Sequence, residues 1–168
     1  MNSNELITEV DKDDNVIGLR PRRDFDQGHF IHRSSYLLVI NSARELLLQQ
    51  RHLAKAWHPG SWTFPVAGTV GKETYEECMQ RETREAFGKE LDFISLLKYR
   101  HFDDVDKAFK TVFLAKAEKN ELSFNKSYSE THDWISFAEL QTQVYKSQEK
   151  YAPPFITGMK IIYEKNLL

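Results

Sequence analysis

Short apolar runs separated by turn residues dominate the first 70 positions. Ile7 to Val10 and Val16 to Leu19 flank the polar stretch Asp11-Lys-Asp-Asp-Asn15. Ser35 to Ile40 and Glu45 to Gln50 flank Asn41-Ser42. Runs of this length, bounded in this way, read as strands paired in hairpins. Trp62 to Val70 continues the series as an extended segment entering a glycine-bearing loop, and Leu91 to Arg100 and Lys110 to Ala115 add two more strands. Between them the period changes to helical. Thr74-x-x-Glu77 is a capping box and Gly88 a C-terminal cap, so a helix is expected from near Tyr75 to Gly88. A second helix is expected over Phe137 to Tyr145, and a third from Phe155 to about Lys165, behind Pro153-Pro154. A long loop is expected over Asn120 to His132. The pattern is that of an α/β protein.

At 168 residues the chain has enough material for one core and too little for two, so residues 1–168 are expected to form a single domain. No internal repeat or low-complexity tract is present. The longest apolar run, Tyr36-Leu-Leu-Val-Ile40, is far too short to span a bilayer, and the N-terminal residues are polar, which favours a cytoplasmic protein with no membrane partner. One cysteine, Cys78, rules out an internal disulfide framework and a cysteine-rich zinc cluster. The formal charge of −2, with both signs dispersed, offers no broad basic footprint for nucleic acid. A small anionic ligand stays open.

The chemistry concentrates in Gly68-Thr-Val-Gly-Lys-Glu-Thr-Tyr-Glu-Glu-Cys-Met-Gln-Arg-Glu-Thr-Arg-Glu-Ala-Phe-Gly88. On a helix, Glu82 and Glu85 project from one side, where two carboxylates suit a hard cation. The plainer alternative is a solvated face with intrahelical pairs such as Glu77 with Arg81. The segment resembles the Nudix box, the signature of hydrolases acting on a nucleoside diphosphate linked to another moiety. Gly68, Glu73, Arg81, Glu82, Glu85 and Gly88 fit the pattern, and the seven-residue gap from Glu73 to Arg81 is kept. Four features depart from it: the loop from Gly68 to Glu73 is one residue short, Thr83 and Lys89 stand where aliphatic residues are usual, and Ala86 replaces the second glutamate of a pair. Upstream, Val10-Asp11, Gly18, His32-Arg33, Leu47 to Arg51, Lys55, Pro59-Gly60, Trp62 and Ala67-Gly68 follow the order seen in the Nudix branch similar to isopentenyl diphosphate isomerase. The resemblance spans roughly Glu5 to Leu140.

The resemblance implies a mixed β-sheet sandwiched between α-helices, with the box helix lining a cleft. It implies hydrolysis of a diphosphate linkage in a nucleotide-derived or related small molecule with Mg²⁺, or alternatively Mn²⁺. Carboxylate-held cations offset the charge of phosphate oxygens and activate water. Glu82 and Glu85 are the implied metal ligands, with Arg81 ordering helix and loop and Glu73 as its anchor. Ala86 removes one oxygen donor, for which Glu130, four residues before Trp134, or Glu90 are candidates to compensate. Arg51, Lys55, His58 and the Gly68 backbone are candidates for substrate contacts. Two other functions are carried forward. A Nudix-fold binding module without turnover fits Ala86, Lys89 and the short loop. Isomerase chemistry needs a cysteine where Ala67 stands and a histidine where Thr69 stands, and the partner expected for His32 falls near Phe25 or Asp26. Substrate identity and oligomeric state are left open by the sequence.

Overall fold

The computed structural model describes residues 5–25 and 28–168. Among these, nine strands form one mixed sheet, with three α-helices packed against it. The strands are β1 (Leu6–Val10), β2 (Val16–Pro21), β3 (Ile31–Ile40), β4 (Glu45–Gln50), β5 (Trp62–Thr63), β6 (Val66–Thr69), β7 (Phe93–Phe102), β8 (Lys107–Lys116) and β9 (Thr131–Ser136). The helices are α1 (Tyr75–Phe87), α2 (Phe137–Lys146) and α3 (Pro153–Glu164).

Strand β3 is the axis. Along one edge it pairs in parallel with β8 from His32↔Ala108 to Ile40↔Lys116. Along the other it meets three strands in turn: β1 at Glu9↔His32, β6 from Ser34↔Thr69 to Leu37↔Val66, and β4 at Ile40↔Leu46. The expected hairpin of β3 with β4 therefore closes at its turn and then splays apart. Strand β4 leaves to pair with β9 and β5, while β6 fills the gap beside β3. The stretch expected as one strand from Trp62 to Val70 is divided, with β5 and β6 serving the two diverging arms on either side of Phe64-Pro65. A proline has no N–H for the ladder, which suits the crossing point. This divergence opens the cleft.

Period-two alternation sorts the core into two layers. Leu37, Val39 and Leu47 join Val66, Met79, Phe87 and Phe113 beneath α1. Leu38, Ile40, Leu46 and Leu48 join Leu140, Phe155, Met159 and Ile162 of α2 and α3 on the other face. The sheet is thus covered on both faces. Helix α1 is capped as expected: the Thr74 side chain accepts from the Glu77 N–H, Glu77 accepts from the Thr74 N–H, and Gly88 takes the left-handed conformation at φ 71°. The region from Asn120 to His132 is mainly loop, but its end enters β9 at Thr131, a strand unforeseen in the sequence.

Candidate active site

A cleft of about 620 Å³ opens where β3 and β4 part. Its lining includes Arg81, Glu82 and Glu85 of α1, Ala67 and Gly68 of β6, and Arg51 and Lys55 of the loop after β4. Helix α1 reaches it because Tyr75, at its first turn, accepts a hydrogen bond from Ser35 of β3 through its carbonyl, 2.8 Å, while Met79, Thr83, Ala86 and Phe87 are buried. Cys78 is buried with them, and the side that remains carries Arg81, Glu82 and Glu85.

Arg81 organises that side. It holds Glu73 through two hydrogen bonds, Nη2 to Oε1 at 2.6 Å and Nε to Oε2 at 3.3 Å. Its Nη1 reaches Glu82 Oε1 at 2.7 Å and Glu85 Oε1 at 3.3 Å. The i,i+4 pairing of Arg81 with Glu77 is not made; Glu77 serves the cap instead. Glu73 is held below the ordinary glutamate range, since the Arg81 fork outweighs its partial burial. Glu82 is the opposite case. Burial raises its pKa despite Arg81, because its carboxylate lies between helix and strand with only 12 % of the side chain accessible. Its second oxygen accepts from the Tyr128 hydroxyl at 2.9 Å, and that phenol also reaches the Ala67 carbonyl at 3.0 Å. Tyr128 was not anticipated from sequence, since nothing local marks a loop tyrosine that folds back onto a distant helix.

The fit of helix to strand depends on Gly68. A Cβ there would overlap Glu82 Cγ and lie 2.7 Å from its Cδ and Oε1. Gly68→Ala should displace the Glu82 carboxylate while leaving the core intact. The expected result is a near-native melting curve with any turnover at this site lowered at least about 10-fold, the order of loss for a displaced active-site group. Wild-type turnover would show that the approach is not required.

The second wall is basic. Arg51 donates Nε to the Trp57 carbonyl at 2.9 Å, and neither Arg51 nor Lys55 has a carboxylate within ion-pair distance among the described residues. Burial depresses the pKa of each, and the Arg51 charge adds to the depression of Lys55. His58, also in the lining, is depressed by burial and by Arg51. Glu82 acts on Lys55 from a distance, but partly desolvated cations with no ion-pair partner are a standing cost that an anionic ligand relieves.

Three candidates lie elsewhere. Glu130 is exposed and outside the cleft lining, with Oε1 accepting from the Leu53 N–H at 3.2 Å and lying 3.3 Å from His52 Nε2. It fastens the loop that carries Lys55. Glu90 pairs with Arg84 at 2.7 Å on the surface. Ala86, expected beside the carboxylates, is 1 % exposed and belongs to the core under α1. Position 86 is one helical turn beyond Glu82, but the turn leads under the sheet, not along the cleft. Phe25 lines the cleft at 5.4 Å ring separation from His32; Asp26 lies outside the described residues.

The oxygen donors suit a hard cation. Glu82 and Glu85 already converge on one cationic atom, Arg81 Nη1, and Arg81 keeps two bonds to Glu73 if Nη1 yields. No cluster of three or more His, Cys, Asp or Glu side chains for a metal exists among the described residues. Two carboxylates with phosphate oxygens and water are, however, the usual surroundings of Mg²⁺. The set present therefore fits a cation that shares its shell with a phosphorylated ligand.

A NUDIX domain model matches residues 31–155, so the chain belongs to that family. Over 163 residues it is 33% identical to a prenyl-diphosphate phosphatase of Methanosarcina mazei, covering 95% of this chain and 96% of that protein. It is 27% identical over 164 residues to an isopentenyl-diphosphate Delta-isomerase of Serratia proteamaculans, covering 93% and 90%. The crystal structure of DR0079 from Deinococcus radiodurans superposes with a TM-score of 0.80 at 21% identity, over 95% of this chain and 99% of that one, a likeness of fold. No helix among the described residues is long and apolar enough to cross a membrane.

Proposed function

We propose that this protein is a Mg²⁺-dependent hydrolase of a small organic diphosphate, with prenyl diphosphates the favoured substrate class. One observation carries the reading: a single cleft sets the cations Arg51 and Lys55, neither in an ion pair among the described residues, against the carboxylates Glu82 and Glu85. Cations on one wall and carboxylates on the other are what a diphosphate and its accompanying metal require. The similarity to the Methanosarcina phosphatase along nearly the whole of both chains supports an isoprenoid in place of a nucleotide. Phe25, Trp57, Val105 and Pro154 in the lining give a hydrocarbon tail apolar surface. Phosphate oxygens are bound by Arg51 and Lys55. Glu82 and Glu85 hold the metal, Tyr128 fixes Glu82 in place, and Arg81 sets both carboxylates while anchored on Glu73. Bound Mg²⁺, or Mn²⁺ in its place, supplies Lewis-acid neutralisation of the phosphates and activation of water. Glu130 acts as a loop fastener and takes no part in the chemistry.

The isomerase reading lacks its donors: Ala67 and Thr69 occupy the strand facing the cleft, and Cys78 is fully buried with its thiol pushed far up by burial. A binding module without turnover is favoured by one feature, the capture of both carboxylates by Arg81. Purified protein with Mg²⁺ or Mn²⁺, assayed against isoprenoid and nucleoside diphosphates, decides between them. Release of phosphate from a prenyl diphosphate is expected. Binding of the same compound without turnover would leave the module as the answer.

Arg51→Met should raise KM for the diphosphate by about 10–100-fold, since a hydrogen bond to a charged group contributes about 1.5–3 kcal/mol. Stability should hold or improve, because a desolvated cation is replaced by an apolar chain. An unchanged KM would remove Arg51 from the phosphate site.

A further inference from the structure

On the cleft wall formed by β3 and β8 lies a cation that the sequence reading overlooked. Lys110 is paired with Ser34 in the β3–β8 register, is 1 % exposed, and belongs to the cleft lining. Its ammonium reaches Asp106 Oδ2 at 2.7 Å and Tyr36 Oη at 3.2 Å. An ammonium has three N–H donors, and these two acceptors are its hydrogen-bond partners among the described residues. Beside it His32 lies 3.7 Å from Asp106 through Nε2, and its Nδ1 is buried with no hydrogen-bond partner.

Two unfilled polar positions on one buried wall need an explanation, because such groups cost free energy unless something meets them. Burial works against the Lys110 charge, but Tyr36 and Asp106 prevail and keep its pKa above the ordinary lysine value. Burial, with Lys110 nearby, lowers that of His32 to about 4. At neutral pH the wall therefore presents a permanent ammonium next to a neutral imidazole. A buried ion pair alone rarely stabilises more than an apolar pair of the same volume. Placed in the lining of a substrate cleft, a spare donor has a ready acceptor.

We infer that Lys110 is a further substrate-binding residue, held by Asp106 and Tyr36 so that its remaining N–H takes an oxygen of the substrate's diphosphate group. This rests on the diphosphate reading of the cleft. The oxygen is either one of the phosphoryl oxygens or the ester oxygen joining phosphorus to the organic group. The phosphoryl oxygens carry the negative charge and are the stronger acceptors for an ammonium, while the ester oxygen is uncharged and accepts more weakly.

The test is calorimetric titration of wild type, Lys110→Met and the double variant Lys110→Met/Asp106→Asn with inorganic diphosphate and with isopentenyl diphosphate, in Mg²⁺, with melting curves and hydrolysis followed in parallel. The double variant removes both charges and keeps volume, so it is expected to fold even if Lys110→Met alone does not. Affinity for both probes should fall about 10–100-fold, the loss expected for a hydrogen bond to a charged donor. A loss confined to isopentenyl diphosphate also supports the inference and assigns the ester oxygen. Wild-type affinity for both probes in the folded double variant overturns it. Wild-type protein that binds isopentenyl diphosphate in a Lys110-dependent way, without hydrolysing it or the other isoprenoid and nucleoside diphosphates, defeats the hydrolase reading and leaves this inference standing. Hydrolysis with equal KM in wild type and double variant does the reverse.

Discussion

Glu82→Gln should abolish most metal-dependent hydrolysis, by roughly 100-fold or more, while the protein folds as before. The substitution keeps the shape of a side chain wedged against Gly68 and leaves an oxygen to meet Tyr128 or Arg81. What it removes is the negative charge. The sign of its effect on stability follows from the raised pKa of Glu82, whose first cause is burial. The folded protein binds this proton more tightly than the unfolded chain does. Stability contributed by the protonated form is complete below the unfolded glutamate pKa and is lost as pH rises through the folded value. At neutral pH the ionised Glu82 thus subtracts stability, and Glu82→Gln should melt at or above the wild-type temperature. The difference should vanish in acid, below the ordinary carboxylate range. Such an exchange of stability for function is common where charge is buried for chemistry. A variant with unchanged turnover would exclude Glu82 from the metal site, and one that melts well below wild type at neutral pH would contradict the electrostatics.

Local signals carried most of the fold. The capping box at Thr74 and the left-handed Gly88 mark α1 almost to the residue, because both ends are set by bonds within a few positions. The β1–β2 turn is equally local: Asp11 Oδ1 accepts from the N–H groups of Asp13 and Asn15, and Asp14 takes φ 66°. Non-local pairing was hidden. The splaying of β3 from β4 is decided by β6 taking the edge of β3 that β4 would otherwise follow, with β8 filling the other edge, and β9 begins where polar Thr131-His-Asp gives no strand signal.

The candidate site divides on the same line. Arg81, Glu82 and Glu85 could be placed from helical spacing, and Gly68, Arg51 and Lys55 from the resemblance; all six line the cleft. Tyr128 and Lys110 could not, since each earns its position through partners more than 40 residues away, at Glu82 and Tyr36. Ala86 shows the limit of helical geometry used alone. Spacing says which residues share a stripe, but whether that stripe faces cleft or core is settled by the sheet beneath it.

Ala86→Glu is therefore expected to damage the fold before it can improve the site. The methyl group is 1 % exposed, within a cluster that includes Leu37, Val66, Met79, Phe87 and Phe113. These offer neither a cation nor a hydrogen-bond donor to a carboxylate. The Asn125 backbone N–H donates to the Ala86 carbonyl at 2.9 Å and its side-chain amide donates to that of Glu85 at 3.0 Å, so the 125–128 loop closes over this turn of the helix. An uncompensated buried charge costs about 3–5 kcal/mol, against a total stability of about 5–15 kcal/mol for a typical domain. The new glutamate should take up a proton in response, so the variant should be least unstable in acid and lose stability as pH rises. Ala86→Met isolates the contribution of volume. Overpacking alone costs about 1–3 kcal/mol and should not vary with pH in this way. Melting curves of both variants across pH, with Mg²⁺ titrated at each point, give the answer. If Ala86→Glu melts like wild type and binds Mg²⁺ more tightly, the 125–128 loop must swing away from α1 and position 86 belongs to the metal site. A pH-dependent loss of stability confined to the glutamate variant instead means that this chain has given position 86 to its core.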